Sequence, residues 1–365
     1  MKSFQRIYSP RFLHDPASDA GYPWPSVAAL ADQIDARSLV SQSARAYFAD
    51  NKVSEACMDE LINAATRANY AQEIQNIHAF AGLVSMATNG PNGVQGGNAQ
   101  IFEHMLDRST ATVYRGASGE VTGIMKIQSE TTKQDAPITQ WRIGTRDGHS
   151  DVYDVVLIAA PWHSSDITLL NTEKSVPGFR YQRLYVTLVV TDAPQPDPVY
   201  FGLDPTFDSV PRTIVTTHLD GDGPDFLSLS YQRRLKHAKY QGRTWDALYV
   251  VKLFSWAPIP SKTLDKIFGN GQVVWTHEKA WSAFPKLTPT DRLGDFEVDT
   301  NLYNVNAMER LISTMETSTL AAKNVVALVL QKWLGSHFVH GARCKWTSHT
   351  PDVATEWDSW GCQSS

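Results

Sequence analysis

The stretch that decides the fold lies near the end of the chain, at residues 302–335, and reads LYNVNAMERLISTMETSTLAAKNVVALVLQKWLG. Its apolar side chains recur at the i, i+3, i+4, i+7 spacing that is typical of one buried helical face. They are Met308, Leu311, Ile312, Met315, Ala322, Val325, Val326, Val329 and Trp333. A helix of about 20 residues is roughly 30 Å long and spans a sizeable domain. The pattern therefore predicts a long organising helix.

The ends of this helix carry their own signals. We expect it to begin near Thr314, with Ser313 as the N-cap and Glu316 completing a Ser-x-x-Glu capping box. Gly335 lies where a left-handed C-terminal stop is expected. The preceding residues 302–305 have the character of a short strand, and a strand that leads into a helix directs unpaired amides toward one point. Such a point can bind a carboxylate, a phosphate or the edge of a flavin. From this stretch alone, an ordinary capped core helix is the simpler interpretation.

The composition is that of an ordinary globular protein. The 365 residues are 42% hydrophobic and 19% charged, with a mean hydropathy of −0.29. A formal net charge of −5 and a pI near 6.1 argue against nucleic acid as a partner, because phosphate binding needs a concentrated basic surface. No apolar run approaches the ~20 residues that cross a bilayer, and residues 1–16 lack the apolar core of a signal peptide. As written, the chain carries no sign of secretion.

No common catalytic or metal-binding motif occurs in the chain. It contains neither a Gly-x-Ser-x-Gly nucleophile elbow nor a His-Glu-x-x-His zinc motif. The tail is rich in side chains that could bind zinc, but their spacing matches no structural zinc site, and we expect no metal there. These side chains are His337, His340, Cys344, His349 and Cys362. Together with Cys57, the two tail cysteines are expected to be free thiols, with a Cys344–Cys362 bridge as the alternative. Catalysis should therefore depend on a cofactor or on pocket shape.

Helical patterns come first along the chain, and strand patterns follow. Residues 1–40 show no periodicity and are expected to form an irregular lead-in, whereas residues 41–70 and 77–86 have helical spacing. Residues 89–98 form a glycine-rich turn before a helix, although this turn is neither a Gly-x-Gly-x-x-Gly fingerprint nor a P-loop. Val152–Ala160 is expected to be a buried parallel strand whose end could deliver backbone to a ligand. From Tyr181 onward the strands have the aromatic and β-branched content of an antiparallel sheet.

Six blocks of this sequence, in order from about residue 40 to 335, carry a resemblance to known proteins. They are ANYAQEIQNIHAFAGLVSMA, VQGGNAQIFEHML, YDVVLIAAPWHSSDITLLN, LYVVKLFSWAPIPSKTLDKIFG, EKAWSAFPKLTP and ISTMETSTLAAKNVVALVLQKWLG. In combination they resemble the prenylcysteine oxidase (prenylcysteine lyase) family of flavin enzymes, which is related to the amine-oxidase-like flavoproteins. The resemblance implies an oxidoreductase that uses FAD and oxygen to oxidise the thioether of a prenylated cysteine. The products are cysteine, an isoprenoid aldehyde and hydrogen peroxide. It also implies an apolar, isoprenoid-like substrate, and members of the family are lysosomal or secretory.

The resemblance also implies a mixed α/β (α+β) fold and a set of site residues. Residues 41–175 and 290–335 would form a remnant FAD-binding, Rossmann-like half, residues 176–289 an antiparallel substrate-binding sheet, and residues 336–365 a tail. The residues implied near the cofactor are Gly96, Gly97, Asn98, Ala160, Pro161, Asn306, Thr314, Met315 and Glu316. Those implied on the substrate side are Trp281, Phe284 and Pro285.

Two departures from the family pattern keep other functions open. The family opens with a strand, a Gly-x-Gly-x-x-Gly turn and an acidic residue for the ribose, and this chain has none of them. The family also has a glycine near residues 304–307, where the side chain of Asn306 could crowd the cofactor. The alternatives are a flavin-free homologue that binds an isoprenoid, such as a cofactor-independent cyclase or isomerase, and a non-catalytic binding protein. If residues 1–40 covered the edge of the strand at 155–159, a flavin-free fold would be favoured.

Overall fold

The structure is a computed structural model that describes residues 21–87, 93–128, 138–217, 224 and 226–336, together with Ile7 and Val339. The chain divides into two units that alternate along the sequence. The first unit combines the residues up to 38, from 88 to 179 and from 291 onward, and the second unit combines residues 39–87 with residues 180–290. Both units contain helices and strands, so the prediction of a mixed α/β fold is confirmed.

Eight α-helices and twelve β-strands occur in the described part of the chain. The helices are α1 (Val27–Gln33), α2 (Arg37–Val40), α3 (Ala44–Asp50), α4 (Asn63–Tyr70), α5 (Ala79–Met86), α6 (Ala99–Ser109), α7 (Ser261–Phe268) and α8 (Met315–Leu334). The strands are β1 (Val121–Gln128), β2 (Thr139–Thr145), β3 (Ser150–Tyr153), β4 (Val156–Ile158), β5 (Thr168–Leu170), β6 (Tyr181–Thr191), β7 (Thr213–Val215), β8 (Ser228–Tyr240), β9 (Arg243–Ser255), β10 (Val273–Pro285), β11 (Glu297–Asp299) and β12 (Leu302–Asn304). The lead-in that was expected to be irregular contains α1 and α2, which corrects that prediction. Ser26 caps α1 by accepting a hydrogen bond from the amide of Ala29.

The first unit contains two sheets. One has the order β3-β2-β1-β5, antiparallel except for the parallel pair β1 and β5. The other has the order β11-β12-β4, in which β12 is antiparallel to β11 and parallel to β4. A hydrophobic cluster joins residues of both sheets, including Ile124, Trp141, Ile158 and Leu302. The two sheets therefore share one core.

The single strand expected at Val152–Ala160 is divided between these two sheets, which corrects the prediction. β3 pairs antiparallel with β2, with Tyr153 opposite Trp141. After a break at Asp154 and Val155, β4 pairs in parallel with β12. The carboxylate of Asp154 accepts a hydrogen bond of 2.7 Å from the Gln140 side chain, which holds the break beside β2. Only the second half of the expected strand is therefore of the parallel type.

A buried ion pair ties the two sheets of the first unit together. The ammonium of Lys126, on β1, donates to both carboxylate oxygens of Asp299, at 2.8 and 2.9 Å. Asp299 ends β11, and its carboxylate also accepts hydrogen bonds from the Thr172 hydroxyl at 2.6 Å and from the Thr300 amide at 2.7 Å. The carbonyl of Thr300 in turn accepts from the indole nitrogen of Trp141, on β2, at 3.0 Å. The turn between β11 and β12 is thereby fixed to the other sheet.

These contacts change the acidity of Asp299. Burial raises the pKa of this carboxyl, but the hydrogen bonds from Lys126, Thr172 and the Thr300 amide outweigh burial, so its pKa lies below the ordinary value. A buried carboxylate of this kind is stable only because its charge and its lone pairs are all satisfied. Removing one partner should therefore leave an uncompensated charge.

We expect Asp299→Asn to destabilise the first unit. It leaves the largely buried Lys126 ammonium without a counter-charge, and the free energy of unfolding should fall by about 3 kcal/mol. Urea unfolding followed by circular dichroism measures the change. Glu120→Gln is the matched control, because it breaks an ion pair with Arg146 in which both side chains are at least half exposed, and it should leave the midpoint nearly unchanged. Equal losses in the two variants would contradict this role of Asp299.

The pH dependence of stability tests the same contact with a definite sign. Because the pKa of Asp299 is lowered on folding, the folded protein holds fewer protons than the unfolded chain. The stabilisation is therefore complete above the ordinary carboxyl pKa of about 3.9, and it is lost as the pH falls through the folded value. The stability difference between the wild type and Asp299→Asn should stay constant from neutral pH to about pH 5 and shrink below about pH 4. A difference that grows in acid would refute the assignment.

The second unit is built on one antiparallel sheet of order β10-β6-β9-β8-β7. Val189, Val251 and Leu253 of this sheet belong to a buried cluster with the apolar side chains of α7. A second cluster joins Leu184 of β6 to Ala71 and Leu227. The sheet therefore has packed side chains on both faces along part of its length.

Residues 39–87 belong to this second unit, which differs from the expected boundary that joined them to residues 88–175. The physical reason is a set of backbone-directed hydrogen bonds to the end of β10. Gln72 donates to the carbonyl of Pro285 at 3.0 Å and accepts from the amide of Leu287 at 2.9 Å. The amide of His78 donates to the carbonyl of Leu287 at 2.7 Å. The helices α3 to α5 are thus fastened to the sheet.

A buried arginine anchors α4 in the second unit. Arg67 forms an ion pair with Glu73 and donates to the carbonyl and the hydroxyl of Thr216, at 2.9 and 3.1 Å. Its guanidinium also lies over the ring of Trp256, 4.7 Å from the centroid. The Trp256 indole nitrogen donates to the carbonyl of Ala71 at 3.0 Å. Because each of the three guanidinium nitrogens has a hydrogen-bond partner, the charge is tolerated in the interior.

The long helix α8 has the predicted length but a different buried face. Thr317, Leu320, Ala321, Asn324, Val325 and Ala327 are buried, whereas Met315, Ala322, Val326 and Trp333 are exposed. The buried face differs because it includes Asn324, which is fully buried and forms two hydrogen bonds with the backbone of Trp24. Its side-chain oxygen accepts from the Trp24 amide at 2.8 Å, and its side-chain nitrogen donates to the Trp24 carbonyl at 2.9 Å. A polar residue therefore lies at the centre of the face.

Candidate functional site

The parallel pair β4 and β12 brings two predicted cofactor segments to one edge of a sheet. Leu302 lies opposite Val156, and Asn304 lies opposite Ile158. The strands therefore end side by side, and their carboxyl ends continue into Ala160 and Pro161 on one side and into Asn306 on the other. Carboxyl ends of parallel strands are where open α/β sheets bind ligands. We call residues 159–161 and 304–306 the carboxyl edge.

The two sides of the carboxyl edge differ in exposure. Ala160 and Pro161 are exposed, so their backbone is accessible. Asn304 is buried, and its side-chain oxygen accepts a hydrogen bond of 3.1 Å from the amide of Asn306. This contact holds the backbone of Asn306, which is half-buried, at the start of a short 3-10 helix over residues 305–310. The edge thus combines an open strand end with a fixed turn.

The N-terminus of α8 follows this 3-10 helix and is capped by Thr314, not by Ser313. The Thr314 hydroxyl accepts from the amide of Thr317 at 3.1 Å, and the Thr317 hydroxyl accepts from the amide of Thr314 at 3.0 Å. These two bonds form a capping box, which corrects the expected box of Ser313 and Glu316. Met315 and Glu316 are exposed in the first turn. The N3 partner in the capping box is therefore Thr317, whereas the sequence pattern favoured Glu316.

The glycine turn forms, but it has only local contacts among the described residues. Gly96 and Gly97 have φ values of +91° and +115°, which glycine adopts more readily than other residues. A Cβ at Gly97 would meet nothing within 4 Å, so the turn presents an open backbone. The side chain of Asn98 accepts from the amide of Val94 at 2.9 Å and leaves α6 without a side-chain cap. None of the described contacts of this turn involves the carboxyl edge.

The three predicted substrate residues lie on β10, in the second unit, and have different surroundings. Trp281 is 51% exposed, and the Lys279 ammonium lies 5.2 Å from its ring centroid. Phe284 packs edge to face against Tyr70, with ring centroids 5.6 Å apart. The carbonyl of Pro285 accepts from the Gln72 side chain. Trp281 is therefore available to a ligand, whereas Phe284 and Pro285 also serve packing.

An exposed aromatic face around Trp281 is visible only in the structure. Cross-strand partners share a face of the sheet, and Trp275, His277 and Trp281 on β10 lie opposite Val190, Leu188 and Leu184 on β6. The rings of Trp275 and His277 stack with centroids 5.9 Å apart. The Lys252 ammonium lies 4.7 Å from the ring centroid of Phe254 on the neighbouring β9. We call Trp275, His277, Lys279 and Trp281, with the side chains that face them on β6, the aromatic face. The alternation of these four residues along β10 was its only signal in the sequence.

A cavity of about 260 Å³ lies beside β4 in the first unit. Its walls include Tyr114, Val121, Ile143, Tyr153 and residues 155–157. His149 and Asp151, which also line it, are joined by a contact of 3.0 Å. No motif in the sequence indicated this cavity.

The remaining predictions concern the tail, the cysteines, metal sites and membrane-spanning helices. The tail side chains His337, His340, Cys344, His349 and Cys362 lie outside the described residues. Cys57 is a half-buried free thiol. Within the described ranges, no three His, Cys, Asp or Glu side chains form a group that could hold a metal ion. In the same ranges, no helix has both the length and the apolar character needed to cross a membrane.

The described residues form only part of a cradle for the FAD that the resemblance implies. A complete dinucleotide fold places a strand, a glycine-rich turn and a helix beside such a parallel pair. No described strand pairs with the second edge of β4. The described lead-in bonds elsewhere, since the Val27 amide donates to Gly294 and Asn324 holds Trp24. The carboxyl edge and the first turn of α8 offer accessible backbone to one end of such a group, and the described residues supply no pyrophosphate cradle.

The identity of the α8 cap can be tested by two single substitutions. Thr314→Ala removes the hydroxyl that binds the Thr317 amide, and we expect a loss of about 1 kcal/mol in the free energy of unfolding. Ser313→Ala should have almost no effect, because Ser313 does not cap the helix. Thermal and urea unfolding of both variants measures the difference. A larger loss for Ser313→Ala would restore the cap predicted from the sequence.

Comparison with known proteins places these features in context. A family described as prenylcysteine lyase matches residues 1–339. Prenylcysteine oxidase 1 of Bos taurus is 29% identical over 313 residues, covering 82% of this chain and 58% of the relative. Farnesylcysteine lyase of Arabidopsis thaliana is 29% identical over 286 residues, covering 78% of this chain and 51% of the relative. The chain thus spans a little more than half the length of these curated relatives. A solved putrescine oxidase variant superimposes with a TM-score of 0.49 at 10% identity, covering 90% of this chain and 74% of that chain, a level that carries no functional argument.

Proposed function

Because this chain belongs to the prenylcysteine lyase family, we propose that it oxidises the thioether of a prenylated cysteine with FAD as its cofactor and oxygen as the electron acceptor. Water and oxygen are consumed, the carbon–sulfur bond to the isoprenoid is broken, and cysteine, an isoprenoid aldehyde and hydrogen peroxide are formed. The names of the relatives, prenylcysteine oxidase and farnesylcysteine lyase, support this substrate class.

One observation in the fold carries the proposal. The carboxyl ends of β4 and β12 meet, so Ala160, Pro161 and Asn306 lie at one edge of a parallel pair. In α/β folds this edge is the usual place for a nucleotide cofactor. The N-terminus of a 20-residue helix follows in the same unit, and its partial positive charge favours an electron-rich group. In the proposal, Thr314, Met315 and Glu316 contribute the amides of that helix end.

When bound, FAD would accept a hydride from the carbon next to sulfur. The residues proposed to hold it are those of the carboxyl edge and the α8 N-terminus, with Gly96, Gly97 and Asn98 as a further backbone surface. The half-buried Asn306 amide is already held by Asn304, so its backbone is pre-organised.

The aromatic face supplies the chemistry that an isoprenoid substrate needs. Trp281 and Trp275 are exposed on β10, and the apolar side chains of Leu188 and Val190 lie beside them on the neighbouring strand β6. Covering such apolar surface contributes about 0.8 kcal/mol for each buried methylene, so a chain of isoprene units gains most of its affinity there. The ammonium of Lys279, beside Trp281, provides a positive charge for the carboxylate of the cysteine end. The face therefore suits an amphiphilic molecule with one charged end.

Absorption and peroxide assays test the proposal on the full chain. The purified protein, incubated with FAD and passed through gel filtration, should retain the visible flavin band and release peroxide with farnesylcysteine. Trp281→Ala should raise the KM about tenfold or more, because a large exposed apolar contact of the substrate is lost. Trp333→Ala is the matched control, since Trp333 is 50% exposed on α8 and is not part of the aromatic face. It should leave the KM unchanged.

Two results would refute the proposal in different ways. A folded protein that retains no flavin would remove the oxidase chemistry and favour a flavin-free, isoprenoid-binding homologue. A protein that binds flavin but has equal KM values in the Trp281→Ala and Trp333→Ala variants would retain the chemistry and remove the aromatic face from the substrate site.

A further inference from the structure

A two-stranded ribbon extends beyond the sheet of the second unit. β8 pairs with β7 only at residues 228–230, and β9 pairs with β6 only at residues 249–255. Beyond these positions β8 and β9 pair only with each other, as far as Tyr240 opposite Arg243. Six residues at about 3.3 Å each carry the tip of the ribbon roughly 20 Å past the last residue that β6 pairs with.

The ribbon and its base concentrate positive charge in an otherwise acidic protein. We call residues 233–246 the basic ribbon; its charged side chains are Arg233, Arg234, Lys236, Lys239, Arg243 and the single carboxylate Asp246. All five cationic residues are exposed, and none forms an ion pair with any other residue that the structure describes. The formal net charge of the chain is −5, so the total conceals this local excess.

The cations lie on both faces of the ribbon. Because cross-strand partners share a face, Lys236 and Arg243 lie on one face toward the tip, and Lys239 lies on the other. Arg233 and Arg234 lie at the base of the ribbon, one on each face, opposite Val250 and Tyr249. A polyanion that binds in a groove contacts one face, whereas a flat anionic surface contacts the tip and both faces near it. This distribution therefore favours contact at the end of the ribbon.

The tip is a tight turn flanked by aromatic side chains. Gln241 and Gly242 have φ values of +46° and +77°, as in the two-residue turns that match the twist of a hairpin. Tyr240 is 39% exposed, and the Arg243 guanidinium lies 5.0 Å from the ring centroid of Trp245. Tyrosine and tryptophan are suited to the boundary between water and lipid, because each has an apolar ring and a polar group.

We propose that the basic ribbon docks the protein on a bilayer surface that contains anionic lipids. Lysine and arginine side chains close to such a surface are attracted to its negative potential. That potential is screened within about 10 Å at 0.1 M salt. The ribbon reaches roughly 20 Å beyond its sheet, so the tip can touch the lipid head groups while the sheet stays more than a screening length away. At that distance the negative lipid surface no longer repels the acidic side chains of the protein. Docking depends on the ribbon alone and is independent of the proposed reaction.

Vesicle flotation with the full chain tests the proposal directly. The protein should float with vesicles of phosphatidylcholine containing about one third phosphatidylserine, but not with phosphatidylcholine alone, and about 0.5 M salt should release it. Lys236→Ala/Lys239→Ala should weaken binding at least tenfold, because each cation contributes about fivefold. Lys262→Ala/Lys266→Ala is the matched control; it removes the same charge from exposed positions of α7 in the same unit and should bind like the wild type.

A second variant tests the effect in the opposite direction. Asp246→Asn removes the one carboxylate of the ribbon and should tighten binding to the phosphatidylserine vesicles severalfold. Circular dichroism establishes that each variant is folded. Absence of flotation at low salt, or equal losses in the two lysine double variants, would overturn the proposal. Tighter binding to a single-stranded RNA that the same ribbon substitution abolishes would assign the surface to nucleic acid instead.

Discussion

The first unit depends on the ion pair between Lys126 and Asp299. Asp299 ends β11, and the next two residues turn the chain into β12, which is the strand that leads toward α8. Lys126 and Trp141 hold this turn from the four-stranded sheet, through the carboxylate of Asp299 and the carbonyl of Thr300. The position of β12 fixes β4, because these two strands pair in parallel. The carboxyl edge is therefore positioned by a contact at the opposite end of its strands.

The second unit repeats this solution with different residues. Arg67 pairs with Glu73 in the interior, and its other two guanidinium nitrogens donate to Thr216. In both units a buried charge is tolerated because each polar atom around it has a partner, and the cost of desolvation makes partial satisfaction unstable. Both contacts join segments that are distant in sequence, since Lys126 and Asp299 are 173 residues apart and Arg67 and Thr216 are 149 residues apart. Each charge thus determines which segments meet.

The sequence predicted the elements of this fold better than their environment. The length of α8 followed from apolar spacing, and strand character was predicted just before residues 160–161 and just before residue 306. That these two segments meet was implied only by the family resemblance, which placed both near one cofactor. The buried face of α8 could not be predicted, because Asn324 is polar and is buried only for its bonds to Trp24. The split of the strand at Asp154 depended on pairing with β2, which no local pattern specifies. The ribbon was hidden for a third reason, because a total charge does not reveal how charge is distributed.

The contact between Trp24 and Asn324 also bears on how the protein is made. Its two residues are separated by 300 positions, and the whole second unit lies between them in the chain. A ribosome that adds roughly 5–20 residues per second needs about 15–60 seconds to pass from one to the other. Once residue 290 has been added, the second unit has all of its residues and can fold, whereas the first unit still lacks α8. The order of synthesis therefore favours folding of the second unit before the first unit acquires its last helix.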